Sequence, residues 1–213
     1  MEVVLKAGKA EQEPRVIWSL PGDEPLVWDT SALWSAFEDL SDSLRSGLKQ
    51  EWLRERTGKS FGSPIKLLER RLKQIDPAAK FLMGECLRRT CLIPVTIAQE
   101  SVRKDRRVAF LFDDDECRRV EREKGIPNYC SNLRRMLRIF LDDASDETKR
   151  NVTRMGRITG IELQKEHTER EKYADYDAIA LALERNGILV TADRKQAELA
   201  LSLGARVIYL PGF

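Results

Sequence analysis

Short runs of consecutive apolar residues, each closed by a polar or turn-forming residue, alternate along this chain with stretches of helical spacing. Leu26-Val27-Trp28 stops at Asp29-Thr30-Ser31, Cys91-Leu92-Ile93 stops at Pro94, and Ile188-Leu189-Val190 stops at Thr191-Ala192-Asp193. Runs this short and this apolar suit strands buried on both faces. After the first run, Leu33, Phe37, Leu40, Leu44 and Leu48 predict a helix over 32–56, capped by Thr30 or Ser31 and ended by Thr57-Gly58. Residues 64–90 read as two further helices broken near Asp76-Pro77. Thr96 and Gln99 have capping-box spacing, which predicts a helix starting at Thr96 with Glu100 in its early turns. Residues 113–157 read as an inserted helical region, and 158–163 as a strand. The last third predicts a helix over 178–183 ended by Asn186-Gly187, a helix over 196–203 ended by Gly204, and a final strand over 206–210. Strands and helices joined by such short links imply an α/β fold, with a parallel sheet and helices packed on it. Residues 1–24, with Val3-Val4-Leu5, Val16-Ile17-Trp18 and Pro21-Gly22, read as an N-terminal extension to a domain over 25–213.

Composition narrows the chemistry. A chain of 213 residues fits one enlarged domain, and 42% hydrophobic with 34% charged residues is ordinary for a soluble globular protein. No apolar run approaches the roughly 20 residues that span a bilayer, and the first residues lack an apolar signal centre, so a cytoplasmic protein is expected. The cysteines, Cys86, Cys91, Cys117 and Cys130, form no CxxC pair, and His167 is the only histidine. A zinc site of ordinary spacing is therefore not expected, and the thiols are expected to be reduced. One histidine, among charged residues, leaves little room for Ser-His or Cys-His catalysis, so chemistry here falls to carboxylates and metal. Thr57-Gly58-Lys59-Ser60 is not a phosphate loop, because Leu53 stands where its first glycine belongs.

The net charge of +2 conceals clusters of basic residues, among them Arg103, Lys104, Arg106 and Arg107. Each such cluster is either a solvated helix face or a phosphate contact. The acids are more specific. Asp29 and Asp193 follow strand ends, Glu100 lies early in the helix after the second run, and Asp177 opens the helix before the third. Ligands of open parallel sheets bind beyond the carboxyl ends of the strands, so all four acids are expected on one sheet edge. Clustered carboxylates raise each other's pKa unless a cation lies among them, and Mg²⁺ or Mn²⁺ prefers such oxygen ligands. Each acid also has a plain structural reading: Asp193 and Asp29 as helix caps, Asp177 and Glu100 as helix-start residues.

Tyr176-Asp177-Ala178-Ile179-Ala180-Leu181-Ala182, followed by Leu189-Val190-Thr191-Ala192-Asp193-Arg194, resembles the C-terminal signature of PIN-domain ribonucleases, particularly the VapC-type toxins. Val27-Trp28-Asp29-Thr30-Ser31 resembles the family's first strand and aspartate, and Ile93-Pro94-Val95 leading to Glu100 the segment with its glutamate. The resemblance implies a doubly wound parallel sheet with helices on both faces and an enlarged helical middle, one or two Mg²⁺ or Mn²⁺ ions, and cleavage of single-stranded or loop RNA. By position, Asp29, Glu100, Asp177 and Asp193 become the metal-binding acids, with Thr30 and Thr191 as hydroxyl neighbours. Asp175 becomes an N-cap or exposed neighbour, and Asp113-Asp114-Asp115 a solvated helix start. An antitoxin protein and a second copy of the chain are the partners this leaves open, with no membrane. The chain is longer than compact toxin members, which leaves open an RNA-processing nuclease that is not a toxin. A catalytically silent RNA- or protein-binding domain is the competing class.

Overall fold

The computed structural model describes residues 22–33, 85–104, 109–125, 127–161, 163 and 173–210. Five strands form one all-parallel sheet: β1 (Leu26–Trp28), β2 (Cys91–Pro94), β3 (Ile139–Asp142), β4 (Ile188–Thr191) and β5 (Arg206–Tyr209), in the order β3-β2-β1-β4-β5. The helices are α1 (Val95–Lys104), α2 (Asp114–Lys124), α3 (Tyr129–Met136), α4 (Asp146–Thr159), α5 (Ala174–Glu184) and α6 (Arg194–Ser202). They flank the sheet, as parallel connections require. The predicted helix over 32–56 and the pair over 64–90 lie outside the described residues, except for helical turns at 30–33 and 85–88. Of the N-terminal extension, only residues 22–24 are described.

Every residue of β1, β2 and β4 is buried, which matches their uninterrupted apolar character. Helix α5 is apolar nearly all round, with Ala174 and every residue from Tyr176 to Ala182 buried. Such a helix leaves little surface to water, and it touches β1, β2, β4, α1, α4 and α6. Where α4 meets α5, Gly156 has no room for a side chain, since a Cβ there would lie 2.9 Å from Tyr176 Cε1. The Tyr176 hydroxyl accepts from the Leu163 amide at 3.3 Å.

Three expectations are corrected. Residues 113–157 are not helical throughout: they contain β3, which pairs with β2 from Cys91↔Ile139 to Pro94↔Asp142 and forms one edge of the sheet. Residues 158–163 are not a strand, because α4 runs on to Thr159 and ends at Gly160 with φ 70°. Helix α1 begins at Val95 rather than at a Thr96 cap, and the Val95 amide donates to Asp143 Oδ1 at 3.3 Å. Elsewhere local chemistry acts as expected. Asp113 caps α2 by accepting from the Asp115 and Glu116 amides, and Asn186 and Gly187 end α5, with the Gly187 amide donating to Ala182 O at 2.8 Å.

The amino edge of the sheet is tied by ion pairs. Glu24, just before β1, accepts from Arg206 Nη1 at 2.8 Å through Oε1 and from Arg89 Nη1 at 3.1 Å through Oε2. The Arg89 side chain is fully buried, pairs also with Glu85, and donates to Glu24 O at 2.9 Å. Hydrogen bonding by Arg206, with further help from Arg89, lowers the Glu24 pKa from 4.5 to about 2. A depressed carboxylate pKa contributes stability above the unfolded value that is lost as pH falls toward the folded one. Glu24→Gln is therefore expected to destabilise the protein by about 1.5–3 kcal/mol at neutral pH in urea unfolding. The gap from wild type should narrow as pH falls from 4.5 toward about 2. A gap independent of pH would assign the loss to packing.

Candidate active site

The order in which the chain fills the sheet changes direction between β1 and β4: β2 and β3 lie beyond β1, and β5 lies beyond β4. In open α/β sheets the crevice at this reversal, beyond the carboxyl ends of the strands, is where ligands bind. Asp29 lies there, one residue past the pairing Trp28↔Val190, with its amide donating to Val190 O at 3.0 Å. It is 2% exposed. Oδ2 accepts from the Ser31 hydroxyl at 2.5 Å, the Ser31 amide at 3.2 Å and the Thr191 hydroxyl at 3.1 Å, while Oδ1 faces Gln196 Nε2 at 3.4 Å. Asp29 itself, not Thr30 or Ser31, thus caps the helical turn that follows. Burial pushes its pKa up, against the pull of the bonds from Ser31 and Thr191.

Asp193 joins this arrangement through Thr191, whose hydroxyl oxygen accepts from the Asp193 amide at 2.9 Å. Its own carboxylate caps α6, with Oδ1 accepting from the Lys195 amide at 2.7 Å and the Gln196 amide at 3.2 Å. Gln196 then bridges three elements, since its Nε2 also donates to Asp175 O at 2.9 Å on α5. The N-cap position of α5 belongs to Tyr173, so Asp175 is a first-turn residue and not the cap.

The other two acids are held by threonine hydroxyls. Thr30 Oγ1 donates to Glu100 Oε2 at 2.7 Å, joining the end of β1 to α1. Thr96 Oγ1 donates to Asp177 Oδ2 at 2.9 Å, joining α1 to α5. Lys149, from α4, lies 3.6 Å from Asp177 Oδ2 and 3.5 Å from Asp143 Oδ1. Burial raises the Asp177 pKa, and the Thr96 bond and the Lys149 charge work against it. Asp29, Glu100 and Asp177 are all buried, as are Thr30 and Thr191.

Hydrogen bonds thus tie each of the four predicted acids to a neighbouring element at this end of the sheet, and only Asp29 and Asp193 share a partner, Thr191. Among the described residues, no three of these acids bring ligand oxygens within 4.8 Å of one another. Each carboxylate is instead turned to a hydroxyl, an amide or Lys149. The donor set, carboxylates and hydroxyls alone, has the oxygen chemistry that Mg²⁺ and Mn²⁺ take. Of the predicted phosphate contacts, Arg103 is exposed on α1 and Lys104 ends that helix, while Arg106 and Arg107 lie outside the described residues.

Sequence reasoning missed Ser31, Asp143, Lys149 and Gln196, and took Thr96 for a cap. Asp143 had a signal: Ile139-Phe140-Leu141 followed by Asp142-Asp143 repeats the shape of Leu26-Val27-Trp28 followed by Asp29. Ser31 was read only as a helix cap, and Lys149 and Gln196 carried no signal, because Asp177 and Asp29, the acids they meet, are distant in the chain. No protein-family model matches the chain, and no curated protein matches it in sequence.

A buried aspartate with a raised pKa binds its proton more tightly when folded. Its contribution to stability is present below the unfolded value of 3.8 and is lost as pH rises through the folded one. In divalent-free buffer at neutral pH, Asp29→Asn is expected to raise Tm by about 2–4 °C, the shift that ~1 kcal/mol gives in a domain of this size. The gain should vanish below the ordinary carboxylate range. A variant less stable than wild type at neutral pH would overturn this, and Asp29→Ala, which cannot cap, measures the capping contribution separately.

Proposed function

We propose that this protein is a metal-dependent endoribonuclease of the PIN type that cuts single-stranded or loop RNA. The observation that carries the proposal is the set of four acids at the carboxyl end of the sheet, with Thr191 joining buried Asp29 to Asp193, Thr30 holding Glu100 and Thr96 holding Asp177. Burying negative charge with hydroxyl partners is unfavourable for a purely structural edge, and useful where a cation is to be held. Asp29, Glu100, Asp177 and Asp193 would hold Mg²⁺ or Mn²⁺. When bound, such an ion supplies a Lewis acid that promotes attack by water on phosphorus and offsets charge on the leaving oxygen.

The chain's own residues do the positioning. Thr191 orients Asp29 and, through the Asp193 amide, the start of α6. Thr30 and Thr96 fix the carboxylates of Glu100 and Asp177 relative to the end of β1. Gln196 holds α5 and α6 at one spacing across the site. Arg103, exposed on the same helix as Glu100, offers a phosphate contact. Cleavage of a cellular target as the toxin of a toxin–antitoxin pair, and RNA processing, are the two roles compatible with this chemistry.

One observation favours the silent alternative, an RNA- or protein-binding domain without turnover. Lys149 sits between Asp177 and Asp143 at 3.6 and 3.5 Å, where an ammonium can neutralise carboxylates in place of a metal. Turnover separates the two readings. Purified protein is expected to cut labelled single-stranded RNA with Mn²⁺ or Mg²⁺ and to stop on chelation. Asp177→Ala should lose more than the roughly 10–100-fold typical of removing a supporting residue, while Asp175→Ala keeps most of the activity. Cleavage that survives exhaustive EDTA treatment, or that depends on Asp175 and not Asp177, would overturn the assignment. RNA affinity should fall as salt rises, and Arg103→Glu should lower it further.

A further inference from the structure

Away from the carboxylate edge, helices α2 and α3 bring a second group of ligating atoms together. Cys117 Sγ, a Glu121 carboxylate oxygen and Cys130 Sγ all lie within 4.8 Å of one another. Cys117 and Glu121 are four residues apart and share one face of α2, with Sγ to Oε1 at 3.6 Å. Cys130 opens α3 opposite them: its amide donates to Glu121 Oε1 at 3.1 Å, and its thiol lies 3.7 Å from Cys117 O. We propose that Cys117, Glu121 and Cys130 form a site for a thiophilic divalent cation of the zinc class, clamping α2 to α3.

The dimensions fit. Zinc–sulfur bonds of about 2.3 Å and zinc–oxygen bonds of about 2.1 Å in a tetrahedron set the ligand atoms about 3.6–3.8 Å apart, and Cys117 and Glu121 already stand at 3.6 Å. Small side-chain rotations bring in the third ligand. The charges also balance. Binding releases two thiol protons, leaving two thiolates and a carboxylate around a dication, a net single negative charge. Arg134, whose charge reaches both thiols, offsets it. Cys130 is buried while Cys117 and Glu121 are part-exposed, so the ion has a path in and a water can complete the tetrahedron. A disulfide between the same cysteines needs the sulfurs at about 2 Å and gives Glu121 no part. The spacing, Cys-x₃-Glu-x₈-Cys, is not that of a zinc finger, which explains why the sequence does not advertise it.

The test is a Co²⁺ titration of the reduced, metal-free full chain. Wild type should develop thiolate-to-cobalt charge-transfer absorption and intense visible bands of tetrahedral cobalt, saturating at one ion per chain and abolished by added Zn²⁺. Cys117→Ser should lose the charge-transfer band, and Glu121→Gln should weaken Co²⁺ binding at least about tenfold. Zn²⁺ should raise the Tm of wild type and not of Cys117→Ser. Cys130→Ser is a companion variant. If its buried hydroxyl prevents folding, the part-exposed Cys117 position carries the test alone. Absence of the charge-transfer band in wild type, or its persistence in Cys117→Ser, would overturn the proposal. Carboxylate-only sites give no such band, so the outcome is independent of the nuclease proposal.

Discussion

A carboxylate set at the end of the central strand, out of water, must be met by donors or by positive charge, and the carboxyl edge of this sheet is organised around that requirement. An unpaired buried charge costs several kcal/mol even after relaxation. Asp29 answers it with the Ser31 hydroxyl and amide from its own turn, the Thr191 hydroxyl from β4 and Gln196 from α6. Only the pairing of β1 with β4 brings Thr191 within reach, so sheet order and site are one arrangement.

The two edges of the sheet solve the same problem differently. At the amino edge Glu24 is matched by Arg89 and Arg206, full charges that hold its pKa down. At the carboxyl edge hydroxyls and amides bond the acids without neutralising them, apart from Lys149 beside Asp177, and burial pushes the Asp29 and Asp177 pKa values up. The first edge is electrostatically settled. The second leaves its carboxylates bonded but largely uncompensated by charge, and that difference, more than the number of acids, sets the two edges apart.

What the sequence disclosed followed the range of the interaction. Strands β1, β2 and β4 were legible because burial on both faces writes an unbroken apolar run. The α6 cap was legible because Asp193 bonds amides two and three residues on, whereas Asp113, which caps α2 in the same way, was read only as part of a helix start. Strand β3 was hidden because it is an edge strand, with Phe140 and Leu141 more than half exposed and acids around it. Ile158, 67% exposed on α4, suggested a strand where none exists. The four acids were visible by position, but Thr96 was misread because its hydroxyl serves Asp177, 81 residues away, and not the amide three residues on. Cys117 and Cys130 gave no spacing signal, since their meeting depends on the turn between α2 and α3.

The placement of β1 has a consequence for synthesis of the chain. Leu26 pairs with Cys91 on one side and with Ile188 on the other. At about 5–20 residues per second, the ribosome delivers β4 roughly 10–30 s after β1. Through that interval one edge of Leu26-Val27-Trp28 has open hydrogen-bonding groups and wholly apolar side chains, a template for pairing with another nascent chain. Contacts this distant in sequence also make folding slow once the chain is free. The strand at the centre of the finished sheet therefore waits longest between its own synthesis and that of its second neighbour, and shielding it falls to a chaperone or to the helices made before β4.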